Sequence, residues 1–269
     1  MIEFSEVTFV HQTGLTALRD VSLRISEAET VAIVGENGAG KTTLVKHITG
    51  LLKPTKGTVT VDGEDTRKKT TAELSRKVGI AFQNPDHQLF SESVEEEVSF
   101  ALRNFGFSPE LVRQRVGWAL SFFGLEEYRK SSPLTLSGGE KKRLTLACIL
   151  SWDPKVIVLD EPTVGQDAIQ KEKLAEITKM LRSTGKTVVI VSHDIEFIWP
   201  LQPRLVVISG GRLVADGPAS EVMQNAKVLS GARVSQPQLV RFYESLDNHP
   251  REPFVDVLDA RNWVLRAVR

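Results

Sequence analysis

One short loop constrains this chain more than any other feature. Residues 35–42 read Gly-Glu-Asn-Gly-Ala-Gly-Lys-Thr and fit the pattern G-x-x-x-x-G-K-[ST]. The apolar run at residues 31–34 predicts a buried strand before the loop, and residues 43–48 predict the start of a helix after it. This strand–loop–helix context is the one in which the pattern binds phosphate. A glycine-rich turn that matches by coincidence would not need either neighbour.

The chemistry of this loop follows from its residue types. Glycines permit turns and a close backbone approach that a Cβ would block, so successive N–H groups can face an anion together with the positive end of the following helix. A lysine adds a charge for the β and γ phosphates, and a threonine hydroxyl suits Mg²⁺. The predicted nucleotide-binding residues of the loop are Gly35, Asn37, Gly38, Gly40, Lys41, Thr42 and Thr43.

Polar side chains follow three further apolar runs. Asp160 and Glu161 end the run at residues 156–159, Gln83 follows residues 78–82, and His193 follows residues 187–192. The carboxyl ends of parallel strands are where ligands of α/β proteins gather. We therefore expect Asp160 and Gln83 to hold Mg²⁺ and Glu161 to act as general base. Taken alone, the two acids could equally be a solvated turn or a helix cap, and a lone histidine at a strand end is usually structural.

The pattern along the chain predicts an α/β fold with a mainly parallel sheet. Alternation at residues 2–9 and 18–25 predicts an antiparallel edge sheet, while apolar strands near 29–34, 78–82, 156–160, 187–192 and 204–208 alternate with helical or looped segments. Residues 93–151 contain no such strand and predict helices at 94–105 and 109–123 and a third from Lys142. We expect a helical insertion at about 89–151.

Charge and composition exclude some functions. Lys plus Arg (34) equals Asp plus Glu (34), so no large basic field exists to attract nucleic acid. The N-terminal pattern is that of a strand rather than a signal peptide, and no run approaches the ~18 apolar residues that a membrane helix needs. If the protein serves a membrane process, we expect another chain to span the bilayer.

The sequence Leu-Ser-Gly-Gly-Glu at residues 136–140 completes a recognisable set of motifs. Over about residues 1–217 the chain resembles the ATP-binding subunit of an ABC transporter, with its Walker A loop at 35–42, Q-loop at Gln83, Walker B strand at 156–161, D-loop at Asp167 and switch histidine at His193. The resemblance implies a P-loop ATPase cassette. It also implies that Ser137, Gly138 and Gly139, placed just before a helix from Lys142, complete the ATP site of a second subunit.

The residues around Gln83 resemble those of one particular group of ABC transporter ATPases. Residues 82–90 and 93–98 are similar to those of the ATPases of energy-coupling factor (ECF) transporters, which take up vitamins or cobalt and nickel ions. That resemblance implies an identical or paralogous second ATPase, an integral membrane coupling subunit, a substrate-binding membrane subunit, and a peripheral position on the cytoplasmic face of the membrane. Another ABC importer class and a soluble ABC ATPase remain alternatives. Repair members carry a long coiled coil and translation factors carry tandem cassettes, and this chain has neither.

Three positions depart from the family pattern. Glu140 replaces the usual Gln of the signature, and Gln166 stands where an apolar residue is general. His11 occupies the place of the aromatic residue that stacks on adenine. Imidazole can stack there, and a plain surface histidine is the alternative.

Two segments suggest contacts with other chains. In residues 84–97 the apolar Leu89 and Phe90 stand among acids, which favours docking on a membrane partner, although acids at a helix N-terminus need no partner. Residues 218–269 form a predicted C-terminal helical extension. Its apolar residues near one helix face indicate either self-packing or a dimer contact; they are Phe254, Val257, Leu258, Val264, Leu265 and Val268.

Overall fold

The computed structural model describes residues 1–247 and 250–267. Its strands are β1 (Ile2–Val10), β2 (Thr16–Ile25), β3 (Thr30–Val34), β4 (Lys56–Val61), β5 (Glu64–Asp65), β6 (Val78–Ala81), β7 (Val156–Asp160), β8 (Thr187–Val191), β9 (Arg204–Ser209) and β10 (Arg212–Pro218). Its α-helices are α1 (Lys41–Ile48), α2 (Thr71–Ser75), α3 (Val94–Asn104), α4 (Pro109–Phe122), α5 (Gly138–Ser151), α6 (Ala168–Ser183), α7 (Ile195–Ile198), α8 (Ala219–Val222), α9 (Ala226–Gly231), α10 (Gln238–Glu244) and α11 (Val257–Ala267).

The strands form two sheets. The larger has six strands in the order β10-β9-β3-β8-β7-β6, and all its neighbours are parallel except β10 and β9. The smaller, β2-β1-β4-β5, is antiparallel. Register pairs Val191 with Ile33 on one side and with Asp160 on the other, so the carboxyl ends of β3, β7 and β8 lie together. The predicted α/β fold with a mainly parallel sheet and an antiparallel edge sheet is confirmed.

The central strands are mostly apolar because both faces of the large sheet are covered. Every residue of β3, β7 and β8 is buried. Val31 and Ile33 pack with α1 and the small sheet, whereas Ala32 and Val34 pack on the opposite face with the larger helices. Two cores therefore hold the carboxyl edge of the sheet from either side.

The helical insertion is also present, with a shift at its third helix. α3 and α4 end one residue before the predicted ends, while α5 begins at Gly138 rather than at Lys142. The prediction that Ser137, Gly138 and Gly139 precede the helix was therefore wrong for the two glycines. Glycine has a low helix propensity, which hid a first turn that Ser137 caps.

The C-terminal extension packs on the cassette in its first half. Met223, Leu229 and Val240 belong to the same core as the large helices. Further on, Phe254 is buried, and its carbonyl accepts a hydrogen bond of 2.8 Å from Trp199 Nε1. Because the two parts share a core, the division at residue 217 stays a prediction about sequence resemblance.

The last helix presents an apolar face to solvent. Val257, Leu258 and Leu265 are 70%, 65% and 53% exposed, whereas Ala260 is buried beside Phe254. Val268, assigned to the same face, lies outside the described residues. Phe254, predicted to share this helix face, instead lies three residues before α11 begins. Packing within the chain accounts for Phe254 but leaves the three exposed residues uncovered.

Candidate active site

The phosphate-binding loop crosses from β3 to α1 through backbone that only glycine accommodates. Gly35 has φ 152° and Gly40 has φ 109°, and a Cβ at these positions would lie 2.1 Å from Ile208 O and 2.5 Å from Ala17 O. Gly40 is also the residue preceding α1, and no side chain caps that helix. The first N–H groups of α1 are thus left for a ligand, as an anion site requires.

Lys41 is buried at the start of α1. Its Nζ donates hydrogen bonds to Gly35 O at 2.8 Å and to Glu36 O at 3.0 Å. Burial lowers the pKa of the Lys41 ammonium, and the carboxylates of Glu161, Asp160 and Glu36 act in the opposite direction. The cation is therefore held inside the loop, where phosphate oxygens can replace the carbonyl oxygens.

Asp160 and Thr42 place two side-chain oxygen atoms next to each other. Asp160 ends β7 and is 3% exposed, and Thr42 Oγ1 lies 3.5 Å from Asp160 Oδ1. Burial raises the pKa of Asp160, opposed by the hydrogen bond from Thr42. Within residues 1–247 and 250–267 no cluster of three His, Cys, Asp or Glu residues could bind a metal alone. A carboxylate and a hydroxyl fit Mg²⁺, which takes few protein ligands and completes its shell with phosphate and water.

Glu161 and His193 form a pair. Glu161 Oε2 lies 2.8 Å from His193 Nδ1 and accepts a 3.3 Å hydrogen bond from the His193 backbone N–H. The Glu161 side chain is 8% exposed and that of His193 is 60% exposed. Glu161 has φ 50°, and its N–H donates to Val191 O. Neighbouring parallel strands thus fix a carboxylate beside the loop, as the sequence predicted for strand ends.

Gln83 lies two residues beyond the end of β6 and is exposed. Sequence reasoning did not identify Gln88, whose side chain holds the segment that follows Gln83. Gln88 Nε2 donates to Ile80 O at 2.9 Å, and its Oε1 accepts from Phe82 N at 3.3 Å. The Gln88 side-chain amide thus hydrogen-bonds the chain at the end of the edge strand, as the backbone of a further strand would. A single glutamine in a loop gives no periodic pattern from which this role could be predicted.

The signature residues sit at the N-terminus of α5. Ser137 Oγ accepts from Glu140 N at 3.4 Å, and Glu140 Oε2 accepts from Ser137 N at 2.7 Å, which is a capping box. The Ser137 backbone hydrogen bond lowers the pKa of Glu140. Glu140, a departure from the family pattern, thus keeps the geometry of this turn. Gly138 is exposed, and Gly139 packs on Gln170.

Two lysines after the signature join α5 to other motifs, and the sequence missed both contacts. Lys141 Nζ pairs with Asp86 Oδ1 of the Q-loop segment at 2.7 Å. Lys142 Nζ donates to Pro162 O at 3.3 Å and also to Val164 O. Long side chains that reach carbonyls 20 and 22 residues away leave no trace in local periodicity.

His11 follows β1 at the turn before β2. The turn is closed by His11 N to Leu15 O and by Gly14 N to His11 O, both 2.8 Å. The His11 ring lies edge-on to Phe9 with 4.9 Å between ring centroids, and Phe9 in turn contacts His47 of α1. Because a Cβ at Gly40 would lie 2.5 Å from Ala17 O of β2, the turn that carries His11 is at the end of the small sheet nearest the phosphate-binding loop.

The structure brings some predicted residues together and leaves others apart. Hydrogen bonds and ion pairs connect Lys41 to its loop, Thr42 to Asp160, and Glu161 to His193. In the described part of the chain, no hydrogen bond or ion pair links Gln83, His11 or residues 137–139 to this cluster. Asp167 caps α6 through Gln170 N at 2.8 Å.

Two residues assigned to a docking surface are not available for one. Leu89 is 5% exposed and belongs to the core. Glu97 is 6% exposed because its Oε2 accepts hydrogen bonds from Phe90 N and Ser91 N. Phe90 remains 64% exposed and packs edge-on against Phe100, which is 48% exposed. An apolar residue between elements gives no periodicity, so the sequence could not separate Leu89 from Phe90.

Comparison with known proteins defines the family. The ABC transporter family model matches residues 18–164. A putative ABC transporter ATP-binding protein of Pyrococcus horikoshii is 45% identical over 90% of this chain and 92% of its own length. The energy-coupling factor transporter ATP-binding protein EcfA of Methanothermobacter thermautotrophicus is 40% identical over 88% of this chain and 77% of its own length.

Solved structures of ABC transporter ATPases are similar to this chain. The cbiO1 protein of Clostridium perfringens, described as part of the ABC transporter complex cbiONQ, matches with a TM-score of 0.76 and 32% identity over 90% of this chain and 98% of that chain. An ATP-binding cassette solved as a dimer with ADP and Pi matches with a TM-score of 0.74 and 32% identity over 81% of this chain and 98% of that chain. The chain belongs to the ABC transporter family, and it is an ATPase cassette similar to those of ECF transporters. No helix among its described residues is long and apolar enough to cross a bilayer.

Proposed function

We propose that this chain is the ATP-hydrolysing subunit of an ECF-type importer for vitamins or for cobalt or nickel ions, acting as an ATP-sandwich dimer. The observation that carries the ATPase site is the Glu161 carboxylate held by His193 beside the phosphate-binding loop. Similarity to proteins named EcfA and cbiO1 supports the ECF class.

ATP binds on residues 35–43 in this proposal. The N–H groups of the loop and of the first turn of α1 receive the phosphates, and Lys41 exchanges its two carbonyl partners for phosphate oxygens. Thr42, Asp160 and Gln83 would hold Mg²⁺, which when bound neutralises charge on the phosphates. His11, beside Phe9 at the neighbouring turn, stacks on the adenine.

Hydrolysis uses the paired side chains at the ends of β7 and β8. Glu161 accepts the proton of the attacking water as the water oxygen bonds to the γ-phosphorus. The bond from that phosphorus to the bridging oxygen breaks, which releases ADP and inorganic phosphate. His193 holds the Glu161 carboxylate through its ring and backbone nitrogens at 2.8 and 3.3 Å. Lys41 stabilises the charge on the transferred phosphoryl group.

The signature acts on the partner's ATP. Ser137 and Gly138 are exposed at the capped N-terminus of α5, with no bond to their own phosphate-binding loop among the described residues. A second ABC ATPase subunit, identical or paralogous, would place its own loop against them, so that ATP joins the two cassettes. The exposed Val257, Leu258 and Leu265 of the extension at residues 218–269 provide a further contact between the subunits.

Membrane partners dock on the exposed aromatic pair. Phe90 and Phe100 leave an apolar surface. Asp86, four residues before Phe90 in the chain, is more than half exposed although it pairs with Lys141. An integral membrane coupling subunit, which in turn carries a substrate-binding membrane subunit, would insert a helix here and hold this chain on the cytoplasmic face of the membrane. Because the surface follows Gln83 along the chain, movement at the ATP site reaches it directly.

The experiment that tests the ATPase assignment compares two matched substitutions. We expect Glu161→Gln to lower ATP turnover by ~10²–10⁴ with ATP binding retained, because an amide keeps the shape but accepts no proton. Glu172→Gln, at an exposed position on α6, is the control and should keep the wild-type rate. Near-normal turnover in Glu161→Gln would remove Glu161 from the mechanism.

A further inference from the structure

The loop after α9 reaches back to the phosphate-binding loop. Arg233 Nη1 lies 3.0 Å from Glu36 Oε2, a contact between residues 197 positions apart in the chain. The turn that presents Arg233 is fixed by its own backbone. Arg233 has φ 52°, its N–H donates to Ser230 O at 3.1 Å, and Val234 N donates to Leu229 O at 2.9 Å. The extension therefore presents a defined cation to the loop.

A second group of contacts holds the extension beside the switch histidine. Gln238 N donates to Glu196 Oε1 at 2.9 Å, and Glu196 lies three residues after His193. Between the extension and the cassette lies a cavity of about 350 Å³, with Gly35 and His193 on the cassette side and Arg233 on the other. The extension thus lines the rim of the proposed phosphate site, outside the segment that the family model matches.

Glu36 creates an electrostatic problem in this loop. A carboxylate next to Gly35 repels the phosphates of ATP, which is a polyanion. The negative charge of Glu36 reaches the Lys41 ammonium, because the Glu36 carboxylate acts to raise the pKa of Lys41. Among residues 1–247 and 250–267, Arg233 is the cation that lies within ion-pair distance of this carboxylate.

We propose that Arg233 is a positioning residue of the ATP site, which neutralises Glu36 and so lets the C-terminal extension set the affinity for ATP. This inference rests on the proposed binding of ATP at residues 35–43. It gives the extension a role within its own subunit, separate from any contact between subunits. Arg233 touches Glu36 rather than the reacting atoms.

The test is a double-mutant cycle on the full chain, read as the equilibrium dissociation constant for ATP. Arg233→Gln should weaken ATP binding roughly two- to five-fold, the range of an exposed ion pair, and the loss should shrink in high salt. Glu36→Gln, alone and combined with Arg233→Gln, should bind at least as tightly as wild type. Arg233→Lys should keep most of the affinity. Lys227→Gln, an equal charge change on exposed α9, should leave it unchanged.

Two results would overturn the inference. If Glu36→Gln fails to rescue Arg233→Gln, then Arg233 acts on the nucleotide or on the fold rather than through Glu36. If Arg233→Gln binds ATP as tightly as wild type at low salt, then the Arg233–Glu36 ion pair does not contribute to the affinity for ATP. Lys41→Ala, measured in the same titration, tests the ATP site itself and should abolish the binding seen in wild type. If it does not, the proposed ATP site is wrong, which is a different result from a failure of the Arg233 inference alone.

Discussion

Lys142 connects α5 to the turn that follows β7, and the cost of its removal can be calculated. Its ammonium donates to Pro162 O and Val164 O, two carbonyls between Glu161 and Asp167. Burial lowers the Lys142 pKa while Glu161 raises it, which places the charge in a partly desolvated site. A hydrogen bond to a charged group contributes about 1.5–3 kcal/mol, so Lys142→Met should lower the free energy of unfolding by about that amount.

The adjacent lysine provides the matched control. Lys141 pairs with Asp86, whose side chain is 55% exposed, and such pairs contribute about 0–1 kcal/mol. Thermal unfolding should therefore show a decrease in Tm of about 3–10 °C for Lys142→Met and clearly less for Lys141→Met. ATP turnover should also fall in Lys142→Met, because the turn after Glu161 loses its support. Equal losses of stability in the two variants would refute this reasoning.

Three further predictions follow from single residues. Ser137→Ala removes the cap of α5 and should cost about 0.5–2 kcal/mol of stability in denaturant unfolding, and no change would contradict the capping box. Burial lowers the pKa of His47 below 6.5, so on acidification the unfolded chain takes up the proton at a higher pH than the folded chain. The stability that is present above about pH 6.5 is therefore lost as the pH falls. His47→Gln should reduce this dependence of the free energy of unfolding on pH, measured by urea unfolding. Gly40→Ala should abolish ATP binding because its Cβ would meet Ala17 O at 2.5 Å, whereas Gly38→Ala, with nothing within 4 Å, should weaken binding less in the same titration.

Most of the fold could be predicted because its signals are local. The apolar runs that became β3, β7 and β8 are buried on both faces, and parallel strands place their carboxyl ends at one edge. That rule alone was enough to bring Glu161 and His193 together. The start of α5 was misplaced because two glycines hid the turn that Ser137 caps.

The parts that escaped prediction depend on distant partners. Gln88, Lys142 and Arg233 each use a long polar side chain to reach backbone or charge elsewhere in the fold, and neither period nor propensity encodes such contacts. Leu89 was assigned to a surface although it is buried, because burial in a loop depends on what packs over it. The sequence therefore defined the chemistry at the strand ends better than the contacts that position it.

In the proposed mechanism the signature of one subunit acts on the ATP of a second subunit, and mixing two inactive variants tests this directly. Lys41→Ala disables the loop of one subunit and Gly138→Asp the signature of the other, so a mixed dimer keeps one site with both elements intact. Equal mixing of two homodimer-forming variants should restore about a quarter of wild-type ATP turnover, because about half of the dimers are mixed and each has one working site of two. Turnover that stays at the level of the separate variants, although mixed dimers form, would show that the signature does not act on the ATP of the second subunit.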